Sequence, residues 1–180
     1  GGNIAGCASR GIPPEVSAEL FAQMESFASY AFNKSHAAAY AVVTYQTAYL
    51  KKYYPKEFLA GVLNNRIDKI EEIAKYVVYM KEKNIAVYPP DVNESRAYFS
   101  VQGKGLRFGL CALRGVGIGA MEKVIEEREQ HGKFKDFADF IMRCVRFINK
   151  KMVESLIFGG AFDSMGRHRS QYHAVYEEVM

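Results

Sequence analysis

The 180-residue sequence has no apolar run of the eighteen or so residues that a membrane-crossing helix requires. Its longest candidate, Ala37 to Leu50, is broken by Thr44, Gln46 and Thr47, so neither a membrane partner nor a signal peptide is expected. Cysteine is scarce. Cys7, Cys111 and Cys144 lie far apart and form no CxxC pair, which argues against a disulfide framework or a zinc site and points to a reducing cytoplasm. No Asp-x-Asp pair occurs, and acids such as Glu126, Glu127 and Glu129 fall on expected solvent faces. Two-metal phosphoryl transfer needs clustered carboxylates, so no catalytic residue is assigned and the chain alone is expected to be inactive. His131, His168 and His173 have no carboxylate or thiol at ligand spacing, and His168 and His173, five apart, do not share a helix face. No metal site is therefore expected. An initiator methionine is also missing, and Gly1-Gly2-Asn3 resembles a tag scar, so an excised piece of a longer protein is expected.

What is present is a hydrophobic content of 49%, enough for a real core in one ordinary domain or two small ones. The net charge of +4 is too mild to imply nucleic acid. Its distribution is more informative, because Arg143, Arg146, Lys150 and Lys151 fall within nine residues that contain no acid. A solvated helix end explains the same cluster equally well.

The fold class expected is mainly α with a small β-hairpin. Pro13-Pro14-Glu15 opens a helix whose Val16, Leu20, Met24 and Phe27 form a packing face. Ser35 is the expected N-cap of a long helix that Pro55 ends near Tyr54; it is apolar nearly all round and is expected to be mostly buried. A short helix follows over 56–63. Asp68-Lys69-Ile70-Glu71 resembles a capping box that opens a helix to about Lys83, closed by Asn84. Beyond it, 85–88 has strand character, Pro89-Pro90-Asp91 turns the chain, and 97–101 is expected to pair with 106–110 across Gln102-Gly103-Lys104-Gly105. Helices are then expected over 118–130, from a cap at Asp136 to Cys144, and over 150–158 up to Gly159-Gly160.

Within this frame, Leu113-Arg114-Gly115-Val116-Gly117-Ile118-Gly119-Ala120 stands out. Glycines at 115 and 117 permit positive φ and close approach, and the amides opening the next helix face outward with its positive pole. Such amides form an anion-binding nest. Residues 108–130 and 136–160 both have a helix, turn, helix pattern, which suggests a tandem helix-hairpin-helix that grips phosphates without reading bases. The candidate contacts are Arg114, Gly115, Val116, Gly117 and Gly119 in the first hairpin. In the second, Val145 to Asn149, Arg146, Asn149, Lys150 and Lys151 compensate for less accessible amides. A tight turn between packed helices would explain the glycines without any ligand.

Phe32-Asn33-Lys34-Ser35-His36 places a cation, a hydroxyl and an imidazole at the start of the long helix, a setting suited to a triphosphate. A locally capped helix is the competing explanation.

Residues 27–41, then Tyr45-Gln46-Thr47-Ala48-Tyr49-Leu50-Lys51 and Tyr54-Pro55-Lys56-Glu57-Phe58, closely resemble the fingers region of bacterial C-family replicative polymerases, the DNA polymerase III alpha subunits. The resemblance continues in family order through Pro89-Pro90-Asp91-Val92-Asn93, Arg107-Phe108-Gly109-Leu110, Leu113 to Gly117 and Gly160 to Gly166. It implies that 1–88 is the C-terminal part of the fingers, 89–106 a linker with a β-hairpin, 107–165 a tandem helix-hairpin-helix and 166–180 the start of a following helix. It also implies duplex DNA as partner and, in the whole enzyme, a deoxynucleoside triphosphate near Lys34, Ser35 and His36. The parent implied is a DNA-directed DNA polymerase that uses Mg2+ through palm residues outside this sequence and meets a sliding clamp through other domains. The second hairpin departs from the glycine-rich pattern. A stand-alone DNA-binding scaffold of a repair protein and a purely architectural helical module are the alternatives.

Overall fold

In the computed structural model, which describes residues 6–30 and 33–179, the chain divides into two units, 1–47 and 48–180. The expectations for Gly1 to Asn3 and for Phe32 fall wholly or partly outside the described residues.

The first unit holds a 3-10 turn at Cys7–Arg10, helix α1 (Pro14–Tyr30) and the start of α2 (Lys34–Tyr53). Two expectations fail here. The α1 stripe of Val16, Leu20, Met24 and Phe27 is exposed rather than packed, and α2 buries no residue at all. Apolar periodicity selects a face for burial, but burial needs a layer pressed against it, and the described residues of this unit supply none. The cap of α2 also shifts. Asn33 Oδ1 accepts from the Ser35 amide at 2.9 Å and the His36 amide at 3.3 Å, so Asn33 closes the helix start and Ser35 is already helical.

The second unit continues from the end of α2 into α3 (Pro55–Asn64), with proline in its first turn, and α4 (Ile70–Glu82). The expected capping box at Asp68 does not form. Lys69 occupies the cap position without a side-chain bond, and Glu72 is held by Arg66 Nε at 2.6 Å and Lys69 Nζ at 3.5 Å. Asn84 ends this segment at φ +54°.

Strands β1 (Ala86–Tyr88), β2 (Ser100–Gln102) and β3 (Gly105–Arg107) form a sheet in the order β1-β3-β2. The β2–β3 hairpin is shorter than the sequence pattern suggests, and β1 joins β3 in parallel. Gly105 permits this third strand, since a Cβ there would lie 2.0 Å from the Ala86 carbonyl oxygen. Leu59, Leu63, Ile73, Met80, Phe99 and Leu106 form a core between α3, α4 and the sheet.

The remaining helices are α5 (Ile118–His131), α6 (Phe137–Cys144), α7 (Lys150–Gly159) and α8 (Arg169–Val179). Their core centres on Met121, Phe140, Ile141, Leu156, Ile157 and Phe162, all almost fully buried. Asp136 caps α6, accepting from the Asp139 amide at 2.8 Å. Gly160, at φ +84°, ends α7. The pair α6–α7 is a complete helix-hairpin-helix. The first unit of the repeat differs from expectation: a three-residue 3-10 turn, Leu110–Ala112, precedes its hairpin in place of an α-helix.

Candidate nucleic-acid interface

The first hairpin is a tight turn over 113–116, in which the Val116 amide donates to the Leu113 carbonyl at 3.1 Å. Gly115 sits at φ +81°, where an L side chain is strained. Gly117 does not: its φ of −82° is ordinary extended backbone, which corrects the expectation of positive φ at both glycines. Val116 is buried in the core, so it anchors the turn and offers no side chain to a ligand.

Beyond the anchor the backbone stays open. Among the described residues, the amides of Arg114, Gly115, Gly117, Ile118 and Gly119 donate no hydrogen bond, and Gly117 at the cap position supplies no side-chain partner. No acid occupies the first turn of α5. Gly119 is exposed, and a Cβ there would meet nothing within 4 Å. The positive pole of a fourteen-residue helix is thus uncapped and reachable.

The second repeat helps build this place. A Cβ on Gly115 would lie 3.7 Å from Ser155 Oγ and 3.8 Å from Lys151 Cε, and one on Gly117 would lie 3.3 Å from Met152 Cε. The N-terminal half of α7 therefore stands against the first hairpin and sets the Lys151 chain and the Ser155 hydroxyl beside the open amides. Ser155 escaped the sequence reading because nothing in the order of residues shows which helix packs behind the turn.

The second hairpin is more self-engaged. The Val145 and Phe147 amides both donate at 2.8 Å, to the Ile141 and Cys144 carbonyls, and Ile148 is buried. Asn149 caps α7, accepting from the Met152 amide at 2.9 Å, so its side-chain oxygen is taken up within its own helix. The Lys150 and Lys151 amides, by contrast, donate no hydrogen bond among the described residues. Lys150 Nζ lies 3.5 Å from the Glu177 carbonyl, and Arg146 stacks over Phe147 at 4.6 Å with its side chain largely exposed.

Three assignments by charge and spacing are corrected here. Arg143 is no free cation: it donates to the Glu127 carboxylate at 3.1 Å and to the Glu127 and Gly132 carbonyls at 3.0 Å each, with only 17% of its side chain exposed. Glu127 does not face solvent but is buried between cations, with Arg146 at 3.6 Å. His131 does have a carboxylate neighbour, Glu127 at 3.0 Å, through the four-residue spacing of α5. Arg114, exposed at the tip of the first hairpin, shares a shallow hollow with Asp68, Glu71 and Glu72.

Lys34, Ser35 and His36 form the first turn of α2, in the other unit. Lys34 is exposed, and the His36 ring packs on Tyr40 at 4.5 Å between centroids. With the Ser35 and His36 amides donating to Asn33, this helix start is closed by its own chain where that of α5 is open.

Elsewhere, burial raises the Cys111 thiol to about 11 and the Cys144 thiol to about 12, so neither is a nucleophile near neutral pH. No described helix is long and apolar enough to cross a membrane.

An open hairpin that leads into α5, followed by the complete α6–α7 unit, defines the class: a family profile for the helix-hairpin-helix motif matches residues 84–172. Over nearly its whole length the chain is also similar to DNA polymerase III subunit alpha from several bacteria. It is 46% identical to that of Chlamydia trachomatis over 96% of this chain, 43% to that of Deinococcus radiodurans over 92%, and 39% to that of Vibrio cholerae over 97%. The chain belongs to the DNA polymerase III alpha subunit family. It spans 14%, 13% and 15% of the length of these three relatives.

Proposed function

We propose that this chain binds the sugar-phosphate backbone of duplex DNA without reading bases, as one segment of a DNA-directed DNA polymerase. The observation that carries this reading is the run of unengaged amides from Gly117 to Gly119 at the start of α5, beside Lys151. Phosphate oxygens are strong acceptors, the helix pole favours their charge, and no base-reading side chain is needed. At the start of α7, the Lys150 and Lys151 amides form a second, weaker seat.

The polymerase setting rests on the relatives' name. In it, residues 1–88 serve as part of the fingers and the deoxynucleoside triphosphate lies near Lys34, whose ammonium carries the contact because the amides behind it are engaged. The sliding clamp is met by other segments, and the setting is the cytoplasm. Among the described residues no group of three or more His, Cys, Asp or Glu side chains is arranged to hold a metal ion, so no residue here is assigned to Mg2+ and no step is routed through it.

Fluorescence anisotropy with a random-sequence duplex at about 50 and about 200 mM salt tests the reading. Affinity falls steeply with salt, Gly115→Val and Lys151→Ala each weaken it, and Lys34→Ala leaves it unchanged. Duplex affinity that survives Gly115→Val and Lys151→Ala together contradicts the assignment, and no salt-dependent affinity at all leaves only the architectural module.

A further inference from the structure

The end of α2 and helices α3 and α4 flank an open hollow of about 630 Å³, lined by Lys51, Lys75, Tyr76 and Tyr79 over the apolar flank of Phe58, Leu59 and Val62, and Glu72 separates it from the hollow beside Arg114. A smaller hollow of about 240 Å³ adjoins it through Lys51 and Tyr79 and adds Lys52 and Lys83. Tyr76 and Tyr79 lie three residues apart on one face of α4, and Lys83, the residue that ends the helix, follows four residues on. Cations attend both rings: Lys51 and Lys83 stand 5.5 and 5.9 Å from the Tyr79 centroid, and Arg66 stands 5.8 Å from that of Tyr76. Glu72, the carboxylate lining the larger hollow, is already bound to Arg66 and Lys69, which hold its carboxyl below the usual range. The groove therefore presents four ammonium groups with little opposing charge, around two half-buried aromatic rings.

We propose that this groove binds single-stranded nucleic acid: phosphates draw Lys51 and Lys83 off the Tyr79 ring and pair with them and with Lys52 and Lys75, and bases stack on Tyr76 and Tyr79 in their place. The occupant follows from complementarity. A neutral apolar peptide leaves the lysines unused, and an acidic peptide leaves the ring faces unused. A duplex keeps its bases inside its own stack. An unpaired strand alone satisfies both sets of groups, and rings with lysines form a sequence-tolerant platform.

Anisotropy of a fluorescent oligo(dT) on the complete chain tests this, with a duplex as parallel probe. Tyr76→Ala with Tyr79→Ala weakens oligo(dT) binding about tenfold or more and leaves duplex affinity unchanged. Tyr79→Phe keeps the affinity, whereas Tyr79→Leu, which retains apolar volume and fold but no π face, loses it. Lys51→Gln with Lys83→Gln lowers the log–log salt slope by about 0.7 for each phosphate that is no longer neutralised. The hairpin variant Gly119→Asp gives the opposite pattern, duplex binding weakened about tenfold or more and oligo(dT) binding kept, so failure at one surface is separable from failure at the other. Oligo(dT) affinity indifferent to Tyr79→Leu overturns the proposal. So does displacement of oligo(dT) by an equal charge of poly-glutamate, which assigns the groove to an acidic protein partner.

Discussion

Glu127 decides which basic side chains near the hairpins are free. It accepts from Arg143 at 3.1 Å, with His131 at 3.0 Å and Arg146 at 3.6 Å; Glu127 and Arg143 are shielded from water, whereas His131 and Arg146 face it. Of the four cations that cluster in sequence, Arg143 is consumed in holding α6 against the end of α5, Arg146 reaches Glu127 but keeps 70% of its side chain exposed, and Lys150 and Lys151 lie outside this cluster. A buried charge stripped of its partner is costly, so Glu127→Gln is expected to destabilise the fold by about 2 kcal/mol through Arg143. The urea midpoint measures it. A midpoint that does not move would mean that Arg143 is solvated and belongs with the free cations after all.

At the scale of the element, the two helix starts illustrate what sequence order conveys and what it does not. Asp136 as cap of α6, the extent of α5 and the Gly160 stop of α7 were legible, because each depends on neighbours within four residues. The parallel pairing of β1 with β3 was not legible, since it depends on which strands meet after the chain has turned. Nor was the approach of α7 to the first hairpin, which brings Ser155 and Lys151 to Gly115. Asn33, Lys34 and Ser35 all lie where the helix can begin, and only geometry selects Asn33 as the group that receives two amides. Asn33→Ala is therefore expected to cost the start of α2 about 1 kcal/mol, whereas Ser35→Ala leaves it intact. Amide exchange at Ser35 and His36 is the readout, and equal acceleration by the two substitutions would restore Ser35 as the cap.

At the scale of the whole molecule, burial is confined to one unit. Among the described residues, none from 6 to 47 is buried, whereas 48–180 carries two cores. Here the sequence misled, because an apolar stripe looks the same whether or not anything covers it.

The acid side of stability belongs at this scale too. A hydrogen bond from Lys133, supported by Arg107 and Gln102, holds the Glu94 carboxyl below its ordinary 4.5, and Arg169 holds Asp163 below its ordinary 3.8. Both values are lower in the folded chain than in the unfolded one. The stability they contribute is therefore complete above those ordinary values and is lost as the pH falls through the depressed ones. Urea midpoints are expected to hold from pH 7 to about 5 and to fall below about 4, less steeply for Asp163→Asn. An identical acid slope in that variant would place the Asp163–Arg169 pair outside the folding equilibrium.

The proposed duplex binding requires phosphate to reach the open amides at the start of α5, and Gly119→Asp probes that approach most directly. The position is exposed and has room for a side chain, and an acid in the first turn suits the helix pole, so melting temperature is expected to stay level or rise. The same carboxylate repels phosphate. Duplex affinity at low salt is expected to fall about tenfold or more, with the salt slope reduced by about 0.9 for each phosphate that is no longer neutralised. A folded Gly119→Asp chain that binds duplex as tightly as the parent, with an unchanged slope, would contradict phosphate seating at this helix start.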